Sequence, residues 1–272
     1  PNGRRDLVSA LQFIRLCGRA NTTASDPPCY MDNGFETTII EGVLQVRRPQ
    51  TRWLSTGTNG CRVSADTAYN ITVPDGWDET ELEAYADQRI TAAGFDTTGP
   101  ALLTGVAQQH ARCATCGPVT AVITAGISNP AALPPRDAVA GDRDDSGIDS
   151  DPDHGHPGTI NIILVTTRSL EPAGLATLLA GAAEAKAVTL HRQTGFSGTT
   201  SDAVIVGSDP AGEPAAFAGS ATAVGRAARA CVRDGLGAAL DARYEDTEMP
   251  ESVPDADHGT TTTATATVSK PD

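Results

Sequence analysis

The chain has almost no lysine. Of its 20 basic residues only Lys186 and Lys270 are lysines; the other 18 are arginines. Aromatic residues are scarce too, at 4% of 272. No unbroken apolar run reaches about 18 residues, so no membrane span is expected. The first residues lack a basic stretch followed by an apolar one, so nothing supports a secretory leader. HExxH, GxSxG, a Walker loop and a dinucleotide fingerprint are all missing. The common metalloprotease, serine-hydrolase and nucleotide-binding signatures therefore give no lead.

Acid is what the chain has in excess. Asp and Glu number 34, 23 of them Asp, and the net charge is −14. That sign argues against non-specific DNA or RNA binding, which needs phosphate neutralisation. So many carboxylates keep a protein soluble but repel one another. Molar salt screens this repulsion over roughly 3 Å. The composition points to a salt-rich cytosol, with an acidic protein from a high-GC mesophile as the alternative. Glycine (27) and proline (18) make loops plentiful.

Six cysteines include one CxxC, Cys113-Ala-Thr-Cys116. A structural zinc site takes four ligands and no second CxxC exists. The pair reads as two incidental thiols, ahead of a zinc or redox motif. His154-Gly-His156, with Asp149, Asp151 and Asp153, reads as a solvated loop ahead of a metal site.

Along the chain, residues 1–32 show no sustained period and read as a flexible extension or upstream sequence, with a short helix possible over Leu7–Leu16. Residues 33–243 form the main domain. Glu36–Ile40 and Val43–Arg47 flank Glu41-Gly42 as a hairpin. Asp78 can cap a helix, with Glu81 completing a capping box, and Gly94 ends it. Ala101–Val106, Val119–Ala125, Thr159–Thr166 and Ala203–Val206 are apolar runs of strand length. Between Pro134 and Pro157 lies an acidic, Gly- and Pro-rich stretch expected to be a mobile insertion. Pro172 opens a helix whose stripe runs Leu175, Leu178, Leu179, Ala182, Lys186, Leu190. A last helix covers about Ala218–Arg243, and residues 244–272 form an acidic, Thr-rich tail expected to be disordered. The fold class expected is α/β: layered mixed sheets with packed helices, in no fixed strand order.

Small polar loops recur beside strands: Ser55–Gly60, Gly126–Asn129, Gly158–Asn161 and Gly198–Asp202. Such loops can converge at one sheet edge and hold a polar ligand, or be ordinary turns. Lys186 is sharper, as the one lysine outside the tail. Its ammonium either snorkels out of the apolar stripe or faces a cleft, where it can serve an oxyanion.

The segments Leu54–Gly60, Val122–Asn129, Gly158–Leu164, Ala183–Ala187 and Gly198–Ala203, taken in order, resemble the adenosylcobinamide amidohydrolase (CbiZ) family from about residue 35 to 243. Thr58 and Cys61 depart from the family pattern, which has an aromatic and a glycine there. The resemblance implies hydrolysis of the amide joining the aminopropanol arm to the corrin ring of adenosylcobinamide. The products would be adenosylcobyric acid and 1-amino-2-propanol, in cytoplasmic corrinoid salvage by a salt-adapted archaeon.

Amide hydrolysis needs a nucleophile, a proton donor and an oxyanion stabiliser. The candidate catalytic residues are Lys186, Asp202, Asn59 and Thr159. The candidate substrate-binding residues are Ser55, Thr58, Ser128, Asn129, Asn161 and Thr199. In one scheme Asp202 or Lys186 handles protons and Asn59 or Asn129 meets the oxyanion. In another, Thr159 is the nucleophile, freed by cleavage after Gly158 as in self-processing amidases. For each hydroxyl a strand-end cap or turn bond is the plain reading. No cofactor or metal is expected, the corrinoid cobalt belonging to the substrate. The partner expected is a small corrinoid, with no nucleic acid and no membrane. A corrinoid-binding protein without catalysis, or a structural protein, remains the alternative.

Overall fold

Glu41 and Gly42 both adopt positive φ, 49° and 78°, the backbone that a tight hairpin turn requires. They turn a strand back on itself as the sequence predicts. The computed structural model describes residues 29–30, 33–57, 60–74, 76–77, 80–135 and 159–271. The Leu7–Leu16 helix, the Asp78 cap, Thr58, Asn59, Gly158, His154 and His156 lie outside the described residues, as does nearly all of the 134–157 insertion.

Short strand β1 (Cys29–Tyr30) pairs with β2 (Glu36–Ile40), which pairs with β3 (Val43–Ser55). The sequence reading stops this strand at Arg47. The structure carries it to Ser55 through a bulge between Arg47 and Thr51, where Pro49 needs no ladder hydrogen bond and Gln50 takes φ 58°. Next come β4 (Cys61–Thr72), helix α1 (Leu82–Ala92), β5 (Ala101–Thr104), β6 (Arg112–Cys116), β7 (Val119–Ala125) and β8 (Pro130–Ala132). After the insertion follow β9 (Ile160–Thr166), β10 (Ser169–Leu170), α2 (Pro172–Thr194), β11 (Gly198–Thr199), β12 (Ala203–Ser208), β13 (Pro214–Ala215), α3 (Ala223–Arg243) and β14 (Thr260–Thr261).

Nine strands make one mixed sheet in the order β1-β2-β3-β12-β9-β7-β6, with β4 and β5 continuing from the other edge of β3. β12 runs parallel to β9 and antiparallel to β3; β7 is antiparallel to β9. The sheet folds over itself, so Leu102 of β5 packs on Val122, Ile163 and Ile205. On the other side of β7, β9 and β12, a large core joins Ile123, Ile160, Ile162 and Leu164 to Leu175, Leu178, Val232 and Leu236 of α2 and α3. Helix α1 covers β4 and β5 through Ala86 and Ile90. The result is four layers: helices, two sheet layers, and a helix. Each fully buried Ile or Leu contributes roughly 1.5–3 kcal/mol.

Helix α2 begins at Pro172 and ends at Gly195, whose φ of 81° only glycine adopts without strain. By length and composition α2 could cross a membrane. Here its stripe of Leu175, Leu178, Ala182, Ala185 and Leu190 is buried in the core instead. Helix α3 starts at Ala223 rather than near 218, because Thr222 caps it by accepting from the Gly225 N–H at 3.0 Å. Cys113 and Cys116 are exposed on β6; Cys231 is buried, and burial pushes its thiol up to about 12.

Within the tail expected to be disordered, residues 244–262 pack against the body of the protein. Tyr244 is partly buried and its hydroxyl accepts from the Ile127 N–H at 2.8 Å, while Met249 and Val253 pack on the main core. The His258 N–H donates to the Ser128 carbonyl at 3.1 Å, and β14 pairs with β8. Backbone pairing and a few apolar anchors hold the segment, and neither depends on composition.

Candidate functional site

The register of the sheet decides where the polar loops meet. Ala125 of β7 lies opposite Ile160 of β9, Asn161 opposite Ala203 of β12, and Ile205 opposite Ser55 of β3. The end of β3, the starts of β9 and β12 and the end of β7 therefore share one edge. Backbone bonds tie the loops together there: Thr56 N–H to the Val204 carbonyl (3.0 Å), Gly126 N–H to that of Thr159 (2.8 Å) and Thr200 N–H to that of Asn129 (3.0 Å). β11, in the 198–202 loop, pairs with β8, just after Asn129. Of the two readings the sequence left open, convergence and ordinary turns, the fold brings the loops to one edge.

Two side-chain clusters occupy this edge. In the first, Lys186 of α2 donates to Asp202, and the Thr199 hydroxyl donates to the other carboxylate oxygen. The side chains of Lys186 and Asp202 are only 13% and 10% exposed. The two candidates named for proton handling are thus partners. Lys186 sits at the border of the buried stripe, so its stem is covered while the ammonium reaches the loop. An ammonium has three donors. Among the described residues only Asp202 takes one, which leaves donors for a developing oxyanion. Glu184 turns away and pairs with Arg229 of α3 at 3.0 Å.

In the second cluster the buried Thr159 hydroxyl donates to Oδ1 of the buried Asn129. Asn129 Nδ2 donates to the Thr200 hydroxyl (2.7 Å) and the Ser201 hydroxyl (2.8 Å), and Ser201 lies 3.3 Å from the Thr159 oxygen. Both amide hydrogens of Asn129 are committed, so an oxyanion gains one only by displacing a hydroxyl. Thr159 faces an amide oxygen, which is no base. The adjacent residues Ser201 and Asp202 join the two clusters through one loop.

The other candidates scatter around this centre. Asn161 is buried below it, donating to Asn70 Oδ1 (2.8 Å) and the Leu103 carbonyl (2.9 Å). Asn70 in turn donates to the Thr124 hydroxyl at 2.9 Å. Asn161 Oδ1 has no hydrogen-bond partner among the described residues. The Ser55 hydroxyl accepts from the Gly57 N–H at 3.0 Å, a turn bond. Gly57 is required there, since a Cβ would lie 2.4 Å from the Ala101 carbonyl. Ser128 is exposed on the rim. Thr58 and Asn59 fall outside the described residues. The sequence reading missed Thr200 and Ser201, though their loop had been singled out, and Asn70, whose strand carries no alternation to mark it. Among the described residues no three His, Cys, Asp or Glu side chains gather as metal ligands.

The family described as adenosylcobinamide amidohydrolase, CbiZ, matches residues 33–248. The adenosylcobinamide amidohydrolase of Halobacterium salinarum is 52% identical over 239 residues, covering 87% of this chain and all of that protein. The enzyme of the same name from Methanosarcina mazei is 28% identical over 220 residues, 77% of this chain and 96% of its own length. A solved structure, the L-aminopeptidase D-Ala-esterase/amidase of Ochrobactrum anthropi, described as a variant of the Ntn hydrolase fold, aligns with TM-score 0.35 and 13% identity, covering 82% of this chain and 86% of that one.

Proposed function

Because this chain belongs to the adenosylcobinamide amidohydrolase family, we propose that it hydrolyses the amide joining the aminopropanol arm of adenosylcobinamide to the corrin ring. The products are adenosylcobyric acid and 1-amino-2-propanol, and the setting is corrinoid salvage in a salt-rich cytoplasm. The observation that carries the chemistry is the Lys186–Asp202–Thr199 cluster at the loop edge.

In this reading the substrate carbonyl oxygen meets the Lys186 ammonium. Asp202 accepts a proton from the attacking water, whose oxygen bonds to the carbonyl carbon. The resulting oxyanion is held by Lys186, a cation in a largely buried setting where such a bond is worth more than in water. On collapse the C–N bond breaks and Asp202 returns the proton to the departing amine nitrogen. Thr199 holds the second carboxylate oxygen and so fixes the orientation of the base. Thr159 and Asn129 shape the adjoining wall. In the uncleaved chain the Thr159 hydroxyl meets the Asn129 amide oxygen and the Ser201 hydroxyl, neither of them a base, so water attack is preferred. Thr159 attack would require its own freed α-amine as base.

The reaction as written uses no added metal. Incubation with adenosylcobinamide in molar KCl, with and without a chelator, tests the reading by mass detection of adenosylcobyric acid. A corrinoid-binding protein without catalysis would retain the corrinoid and release no aminopropanol. Turnover lost on chelation and restored by a divalent ion would remove the metal-free mechanism.

A further inference from the structure

A cavity of about 380 Å³ opens between β3, β4 and the start of α2. Its walls include Arg52, Arg62 and Ser64 on the strands, and Leu170, Glu171 and Leu175 beside them. The strand register explains the grouping. Arg52 lies opposite Ser64, and Leu54 opposite Arg62. Residues two apart on a strand share a face, so Arg52, Arg62 and Ser64 all project to the side that Leu54 shares with the helices.

The charge here is unusual for a chain of net −14. Among the described residues Arg47, Arg48, Arg168, Arg229 and Arg233 all have carboxylate partners. Among the described residues Arg52 and Arg62 have none, and neither do Arg89, Arg112, Arg192, Arg226 and Arg243; what sets Arg52 and Arg62 apart is that both line one cavity. Arg52 makes one long bond, 3.5 Å, to the Leu170 carbonyl. Arg62 is exposed and makes no hydrogen bond among the described residues. One carboxylate, Glu171, stands against two guanidinium groups.

We infer that this cavity binds the phosphoryl group of a phosphorylated small organic molecule. A guanidinium presents a fixed fork of donors that matches an oxyanion. One fork suffices for a carboxylate; two forks and a nearby hydroxyl suit a phosphate dianion. The volume is larger than an inorganic ion needs, and Leu170 and Leu175 offer the organic part an apolar wall. Leu175 precedes Lys186 by eleven residues of one helix, so the helix wall of the cavity lies about 16 Å along the axis from the Lys186–Asp202 pair.

The test is calorimetric titration of the full chain, without corrinoid, at constant ionic strength in KCl. The probes are phenyl phosphate and inorganic phosphate. Saturable binding of phenyl phosphate is expected, tighter than that of inorganic phosphate. Arg62→Met, at an exposed position that the fold does not need, is expected to weaken it by about tenfold or more. Arg233→Met, whose guanidinium pairs with Asp234 on α3, is expected to leave it unchanged. No saturable binding, equal affinity in Arg62→Met, or inorganic phosphate binding as tightly as phenyl phosphate would each overturn the assignment. No arm reads amide hydrolysis, so the outcome is independent of the proposed activity.

Discussion

Replacing Lys186 by Met separates a structural ion pair from a working one. The Lys186 and Asp202 side chains are 13% and 10% exposed, so neither charge is well hydrated. Methionine fills the space of the lysine stem but leaves the Asp202 carboxylate with Thr199 as its remaining donor. Breaking a buried pair by removing one partner costs about 3–5 kcal/mol, and the residual exposure argues for the lower end, about 3 kcal/mol. In a domain of this size that corresponds to a Tm lower by roughly 6–12 °C. Adding Asp202→Asn removes the stranded charge while keeping an acceptor for Thr199. The double variant is therefore expected to regain most of the lost stability. Its turnover is expected to stay down by more than the about 10²–10³ that losing one oxyanion donor costs, because the proposed base is gone as well. Thermal unfolding in KCl reads the first quantity and adenosylcobyric acid formation reads the second. A single Lys186→Met variant as stable as the parent, or a double variant that recovers activity together with stability, would refute the reasoning.

Three further outcomes follow from the same structure. Cys61 adopts φ 76°, a backbone that favours glycine; Cys61→Gly is expected to stabilise by about 1 kcal/mol by relieving that strain, read as a raised denaturation midpoint, and a lowered one would contradict it. Tyr244→Phe strands the Ile127 N–H and is expected to cost about 1–3 kcal/mol; an unchanged Tm would mean the tail contact carries no weight. Stability is expected to rise from low to molar KCl as carboxylate repulsion is screened, and a flat or falling Tm over that range would count against the salt-adapted reading.

Where the sequence was readable, local chemistry and tertiary role agreed. Ile160–Val165 is buried on both faces and its continuous apolar run says so. The Glu41-Gly42 turn and Pro172 marked their elements directly. β4 left no mark because its first half is largely exposed, while buried Thr67 and Asn70 interrupt the second. β3 was cut short because Arg-Arg-Pro-Gln reads as a loop, whereas the bulge accommodates it. In the site, Lys186 stood out through rarity and Asp202 through its loop, but their pairing depends on packing α2 against β12. Ser201 was hidden because a loop serine that bonds an active centre looks like one that bonds a turn.

The central claim rests on release of 1-amino-2-propanol. The protein in molar KCl, given adenosylcobinamide, is expected to yield adenosylcobyric acid and 1-amino-2-propanol in equal amounts, while Asp202→Asn, with its fold intact by circular dichroism, yields neither above background. Corrinoid recovered unchanged with the parent protein, or undiminished release by folded Asp202→Asn, would contradict the account.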